Sequence, residues 1–220
     1  MKKWNAFIFD LNGTMVDDME YHLNGWYKVL HEDLQSGLSR EEVKSHMYGK
    51  NEELLDRVFG KGHFSKEQAD KIALEKEKRY QETFRPHLQL IAGLPAFLAK
   101  SEKAHIPMAI GSAAIPFNID FVLDNLDIRH YFKAVISADN VQISKPHPET
   151  FLKAAAALGV PPESCLVFED APKGVEAAHN AGMSCVVLTT MHGKEEFAGY
   201  PNVVRFIADY TDPGLQVIWG

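Results

Sequence analysis

Six short apolar runs that do not alternate with polar residues constrain this chain more than any other feature. They are Ala6 to Phe9, Pro107 to Ile110, Ala134 to Ile136, Cys165 to Phe168, Cys185 to Leu188 and Val203 to Ile207. A strand with one face in water alternates in polarity, so runs of this kind read as strands covered on both faces. Helical patterns with defined ends lie between them. One runs from Pro148 to Leu158 and stops at Gly159, one from Pro172 to Ala181 and stops at Gly182, and one from Pro116 to Asn125. Proline suits a first turn and glycine the residue after a last one. Strand and helix in alternation predict an α/β fold, a doubly wound, Rossmann-like parallel sheet with ligands at the carboxyl ends of its strands.

Residues 16 to about 85 break that rhythm. They hold no strand of useful length but several helical stretches, two opened by the capping boxes Ser39 to Glu42 and Ser65 to Gln68. The charged segment from Ser65 to Phe84 predicts a solvent-facing helix. A chain of 220 residues has room for a core with an inserted smaller domain. The predicted division is an α/β core of residues 1–15 and 86–220 with an inserted α-helical cap at 17–84.

Lys and Arg number 23 and Asp and Glu 30, for a net charge of −7 without a basic block. Nucleic acid is therefore not an expected partner, whereas a small anion can still be held locally by one lysine and a metal. The apolar N-terminal stretch is too short for a signal peptide or a spanning helix, so no membrane partner and a cytoplasmic location are expected. Cys165 and Cys185 both fall within strand runs and read as small core residues of a reducing compartment. A monomer is the default expectation.

The strongest chemical signal is Phe7-Ile-Phe-Asp-Leu-Asn-Gly-Thr14, in which a strand delivers Asp10 at its carboxyl end and Gly13 permits a tight turn. A carboxylate there can attack phosphorus, with a metal to let one anion approach another; equally, Asp often simply ends a strand and starts a turn. Three further stations decide between these. Ser112 ends the run Met108 to Gly111, Lys145 sits in the Pro-stiffened loop Ser144-Lys-Pro-His-Pro148, and Glu169-Asp170 ends Val167-Phe168. Each alone is ordinary. Together, in this order and each near a predicted strand end, they supply a nucleophile, phosphate-oxygen donors and hard oxygen ligands for a metal.

With these residues in view, the sequence resembles the haloacid dehalogenase superfamily, in the subgroup with a small helical cap that includes beta-phosphoglucomutase and many sugar-phosphate phosphatases. The resemblance covers nearly the whole chain: Asp10-Leu-x-Gly-Thr14, Glu20-Tyr-His22 with Trp26, Lys145-Pro-x-Pro148, Glu169-Asp170 followed by Ala-Pro-Lys-Gly174, and Ala177-Ala-x-x-Ala-Gly182. It implies that Asp10 is the nucleophile, that Ser112 and Lys145 hold the transferring phosphoryl group, and that Mg2+ is bound by Asp10, the main-chain carbonyl of Asn12, and Asp170, with Glu169 in the same metal group. It also implies substrate contacts at Thr14, His22, Gly49, Lys50, Asn51 and Ala113. The site is expected between core and cap, which open and close around a small phosphorylated metabolite.

Position 12 departs from the family pattern, which there has a second Asp that protonates the leaving oxygen and then deprotonates the incoming water or hydroxyl. Asn12 cannot exchange that proton, a service worth about 10² to 10⁴ in rate. Four explanations stay open: leaving groups that need little protonation, such as acyl phosphate or pyrophosphate; another acid, with His22 the best placed; a weak or silent phosphate-binding relative; and deamidation at Asn12-Gly13. A phosphomutase is ranked below a hydrolase, because Glu52 falls about where the mutase's phosphate-binding arginine would be, and Ala114 and Pro116 replace its polar groups. Trp26 reads as cap core and Asp18 as the cap of the first cap helix.

Overall fold

The computed structural model describes residues 4–219. The chain opens with β1 (Ala6–Phe9) and then enters a helical stretch of α1 (Met19–Tyr27), continued by a π-helical segment Lys28–Asp33, α2 (Arg40–His46), α3 (Asn51–Phe59) and α4 (Lys66–Phe84). Strands and helices then alternate: α5 (Leu94–Lys103), β2 (Met108–Gly111), α6 (Pro116–Asn125), β3 (Phe132–Ile136), α7 (Glu149–Leu158), β4 (Cys165–Glu169), α8 (Pro172–Asn180), β5 (Ser184–Leu188) and β6 (Val203–Ile207). Two compact units result. One holds the residues up to Asp17 and from Gln89 onward, and the other is Asp18–Leu88.

The first unit is built on one six-stranded sheet of order β3-β2-β1-β4-β5-β6, every neighbouring pair parallel. The central strands are apolar throughout because both faces are covered. Side chains alternate across a strand, and in β1 both sets find a core. Phe7 and Phe9 join Phe97 and Phe168, with Phe9 stacked on Phe168 at 4.8 Å, while Ala6 and Ile8 pack with Phe151, Val167 and Val175. Burial pushes the Cys165 thiol up to about 11 and that of Cys185 well above its usual range, which leaves both as unreactive core groups.

The strand order fixes where chemistry can sit. β1 lies between β2 and β4, so the order reverses direction there and the carboxyl ends of these three strands open side by side. The segments by which the chain leaves and re-enters this unit are tied together within it. Val16 bridges Leu90 antiparallel, and the Ile91 N–H donates to the Met15 carbonyl at 2.9 Å.

The second unit is all helical among the described residues. Both predicted capping boxes form, with the Ser39 N–H donating to Glu42 Oε2 and the Ser65 N–H to Gln68 Oε1, each at 2.8 Å. The expectation of a solvent-facing helix over 65–84 is corrected. Ala69, Ala73, Lys76, Glu77, Tyr80, Gln81 and Phe84 of α4 are all buried, and the stripe 69, 73, 76, 77, 80, 81, 84 follows the period of one helix face. A lysine and a glutamate on that stripe hide it from a reading by polarity. No helix among the described residues is long and apolar enough to cross a membrane.

Candidate active site

Asp10 is placed by the sheet itself. Its N–H donates to the Phe168 carbonyl at 2.9 Å, so the β1–β4 ladder runs one residue past β1 and holds the Asp10 side chain at the strand end. The turn that follows is closed by Met15 N–H to Leu11 O and Gly13 N–H to Val16 O, both 2.8 Å, and Gly13 takes a φ of 72°, a left-handed conformation that a side chain disfavours. The Gly13 nitrogen is the one that would attack the Asn12 side chain in deamidation. Its N–H is committed to Val16, so the folded turn restrains that route.

Around Asp10 the expected stations come together. Lys145 is buried and donates to Asp10 Oδ1 at 2.7 Å and to Glu169 Oε1 at 2.8 Å. Burial pulls its ammonium toward neutrality, but the two carboxylates override it and hold the lysine above its ordinary pKa, firmly charged. Ser112 Oγ accepts the Ala114 N–H at 3.1 Å, which turns its own hydroxyl hydrogen away from that bond and makes it a donor; Ala113 lies inside the same turn. The Ser112 N–H in turn donates to Ile136 O at 2.9 Å, continuing the β2–β3 ladder as Asp10 continues β1–β4.

Glu169 and Asp170 divide their duties. Glu169 Oε2 accepts the N–H groups of Asp170 and Ala171, both at 2.8 Å, and its other oxygen is taken by Lys145. Both oxygens thus have donors, and Glu169 orients Lys145 and the turn. Asp170 accepts the Thr14 hydroxyl on Oδ1 at 3.3 Å, while its Oδ2 is buried without a hydrogen-bond partner. Burial, then the charges of Glu169 and Asp10, push the Asp170 carboxyl well above the usual carboxylate range, against the opposing pull of Lys145 and Thr14. A buried oxygen left this way is costly unless a cation completes it. Among the described residues no three His, Cys, Asp or Glu side chains form a metal cage; the donor set that suits a hard cation is the smaller one of Asp10, Asp170 and a main-chain carbonyl at Asn12, with water filling the remainder.

Two of the expected substrate residues of the second unit, His22 and Asn51, join a network around Lys76 and Glu77. Lys76 Nζ lies 2.6 Å from His22 Nδ1 and 3.0 Å from Glu77 Oε2, and Asn51 donates to Glu77 Oε1 at 2.8 Å. The other ring nitrogen of His22, Nε2, lies 3.4 Å from Asp18 Oδ2. Tyr80 donates to the same Asp18 oxygen at 2.5 Å and stacks on the His22 ring at 3.8 Å. Asp18 stands at the N-cap position of α1, but its side chain makes no capping bond; it serves this network instead. Trp26 is buried as expected, with Lys76 Nζ 5.4 Å from its ring. Gly49, at φ 73°, precedes Lys50, whose N–H donates to Glu53 Oε2 at 2.9 Å. Sequence reasoning missed Lys76, Glu77 and Tyr80; the available signal was their place on the apolar stripe of α4.

Three comparisons with known proteins bear on this site. The haloacid dehalogenase-like hydrolase family model matches residues 7–188. Fructose-1-phosphate phosphatase YqaB of Escherichia coli is 36% identical over 191 residues, 84% of this chain and 96% of that protein; beta-phosphoglucomutase of Bacillus subtilis is 32% identical over 221 residues, 97% and 95% of the two chains. Among solved structures, a haloacid dehalogenase hydrolase from Entamoeba histolytica matches with a TM-score of 0.86 at 25% identity, over 98% of this chain and 97% of that one. Beta-phosphoglucomutase from Clostridium difficile matches at 0.84 and 27% identity with the same coverage.

Proposed function

The chain belongs to the haloacid dehalogenase-like hydrolases, and from that premise we propose that it is a Mg2+-dependent phosphatase of a small phosphorylated metabolite, working through an aspartyl phosphate on Asp10. The observation that carries the reading is the pairing of Lys145 with Asp10 and Glu169 beside an Asp170 whose Oδ2 has no partner. That arrangement holds a nucleophilic carboxylate, a fixed positive charge and a cation-seeking oxygen at adjoining strand ends. The similarity to a fructose-1-phosphate phosphatase supports a sugar phosphate as the substrate class.

In the proposed reaction a carboxylate oxygen of Asp10 attacks phosphorus, the bond from phosphorus to the substrate oxygen breaks, and the freed alkoxide takes a proton from water. Water then attacks the aspartyl phosphate at phosphorus, releases inorganic phosphate and regenerates Asp10. Lys145 and the Ser112 hydroxyl donate to the phosphoryl oxygens as charge builds on them. Magnesium, when bound at Asp10, Asp170 and the Asn12 carbonyl, supplies the charge that lets the two anions meet. Asn12 cannot protonate the leaving alcohol, so turnover should depend on how readily that group leaves.

Magnesium-dependent phosphate release, measured over sugar phosphates, acetyl phosphate and pyrophosphate, tests this. Asn12→Asp should raise the rate on sugar phosphates by about 10² to 10⁴ and raise that on acetyl phosphate by less, because its leaving group needs little protonation and only the water step gains. Absence of turnover in both forms would sink the hydrolase reading.

A further inference from the structure

We propose that Tyr210 is a positioning residue for Asp170, acting through Thr14; this rests on the phosphatase reading for its metal and goes beyond it in assigning a role to the segment after β6. The Tyr210 hydroxyl donates to the Thr14 carbonyl at 3.1 Å, and the Thr14 hydroxyl donates to Asp170 Oδ1. All three residues are buried. The path thus runs from Tyr210 to the carboxylate whose other oxygen lacks a partner.

A buried tyrosine ordinarily finds one hydrogen bond, so the bond alone says little. What sets Tyr210 apart is how it is fixed and what it grips. Its ring stands 5.4 to 6.4 Å from the rings of Phe9, Phe97 and Phe168; Phe9 of β1 and Phe168 of β4 directly precede Asp10 and Glu169, and Phe97 belongs to α5. Its N–H donates to the Ala92 carbonyl at 2.9 Å, and Gly93 next door lets the two backbones meet; a Cβ there would lie 2.6 Å from the Tyr210 carbonyl carbon. One residue therefore holds the segment Leu90 to Ala92 by its backbone and the turn after β1 by its hydroxyl. Thr190 adds a parallel restraint, donating to the Gly13 carbonyl at 2.7 Å. Burial, followed by the charges of Asp10 and Asp170, holds the Tyr210 phenol well above its usual pKa, so it stays a donor across the working range. With the Thr14 carbonyl held, the Thr14 hydroxyl meets Asp170 Oδ1 in one orientation, and Oδ2 is the oxygen that would remain for a cation.

Calorimetric titration of Mg2+ into the resting protein separates this role from simple core packing. Tyr210→Phe keeps the ring and removes only the O–H···O bond. It should weaken Mg2+ binding by about tenfold, the scale of outer-shell partners of metal ligands, with the Mg2+ needed for half-maximal phosphate release rising in parallel. Thr14→Val should weaken binding at least as much, Thr14→Ser should restore it, and the double variant Thr14→Val with Tyr210→Phe should be no weaker than Thr14→Val alone. Native Mg2+ affinity in Tyr210→Phe, even with a lowered melting temperature, would reduce Tyr210 to a structural residue and overturn the proposal, as would losses that simply add. Failure of the unaltered chain to bind Mg2+ would overturn the phosphatase reading together with this one, whereas normal binding in both the native and Tyr210→Phe forms sinks this one alone.

Discussion

Lys145 is the residue on which the charge balance of the site turns. Asp10 and Glu169 each lie within 2.8 Å of its ammonium, and Asp170 stands under the field of both. Because its pKa is raised in the fold, Lys145 contributes stability that is fully present below the unfolded value of about 10.4 and is lost only as pH climbs through the folded one. Between pH 5 and 9 that contribution is flat. Removing the cation is a different matter, since it strands buried carboxylates. Lys145→Met should lower unfolding free energy by about 3 to 5 kcal/mol, read by urea denaturation in the absence of divalent ions, and Mg2+ should recover part of the loss. An unchanged urea midpoint would mean that the pairs are energetically idle. Asp10, Ser112, Lys145 and Asp170 could be read from the sequence because three stand at the end of an apolar run and the fourth directly precedes Pro146-His-Pro148. Tyr210 could not, since its partner Thr14 is 196 positions away and no motif surrounds it.

At the scale of elements, the loop that carries Lys145 is held by the helix it leads into. Glu149, in the first turn of α7, accepts the N–H groups of Gln142 and Ile143 at 3.0 Å and pairs with Lys153 one turn on at 2.7 Å. Lys153 first, then the two backbone donors, bring its carboxyl down to about 2. A lowered folded pKa stabilises above the unfolded value, about 4.3, and is lost as pH falls through the folded one. Glu149→Gln should therefore be less stable than the native chain at pH 7, with the gap shrinking as pH falls from about 4.3 toward about 2. Paired denaturation curves over that range check it, and a pH-independent gap would assign the effect to something other than ionisation. The sequence marked α7 by its ends, Pro148 and Gly159, yet gave no hint of this tether, because a first-turn glutamate looks the same whether it faces water or a preceding loop. α4 teaches the converse. Its stripe was regular enough to read, but Lys76 and Glu77 neutralise each other on it, and a pair that satisfies itself inside a helical unit looks in sequence like two solvated charges.

For the whole molecule, the sheet order explains why residues at positions 10, 112 and 169–170 share one neighbourhood, and the alternation of apolar runs was sufficient to foresee that order's class. What composition and spacing could not convey is the cost at which the site is assembled. Buried acids at Asp10, Glu169 and Asp170 are compensated within the protein by Lys145 and by hydrogen bonds, yet Asp170 keeps an unpartnered oxygen and a carboxyl whose ionised form is disfavoured. Under the proposed phosphatase reading, that is stability traded for a place to bind a cation. Asp170→Asn removes the disfavoured charge while keeping the shape, so without divalent ions it should be more stable than the native chain by ~0.5 to 2 kcal/mol. Magnesium should reverse the order. A ligand that binds only the folded state adds about 2.7 kcal/mol at a hundred times its dissociation constant, and the native chain should gain that while Asp170→Asn gains little. In hydrogen exchange, the Mg2+-dependent protection should fall on the turn after β1 and on residues 170–171 of the first unit, with the local openings of residues 18–88 unaltered. Melting curves of the two proteins with and without Mg2+ must therefore cross over; if Asp170→Asn is the less stable form in both conditions, the carboxylate is a structural acid and not a cation site.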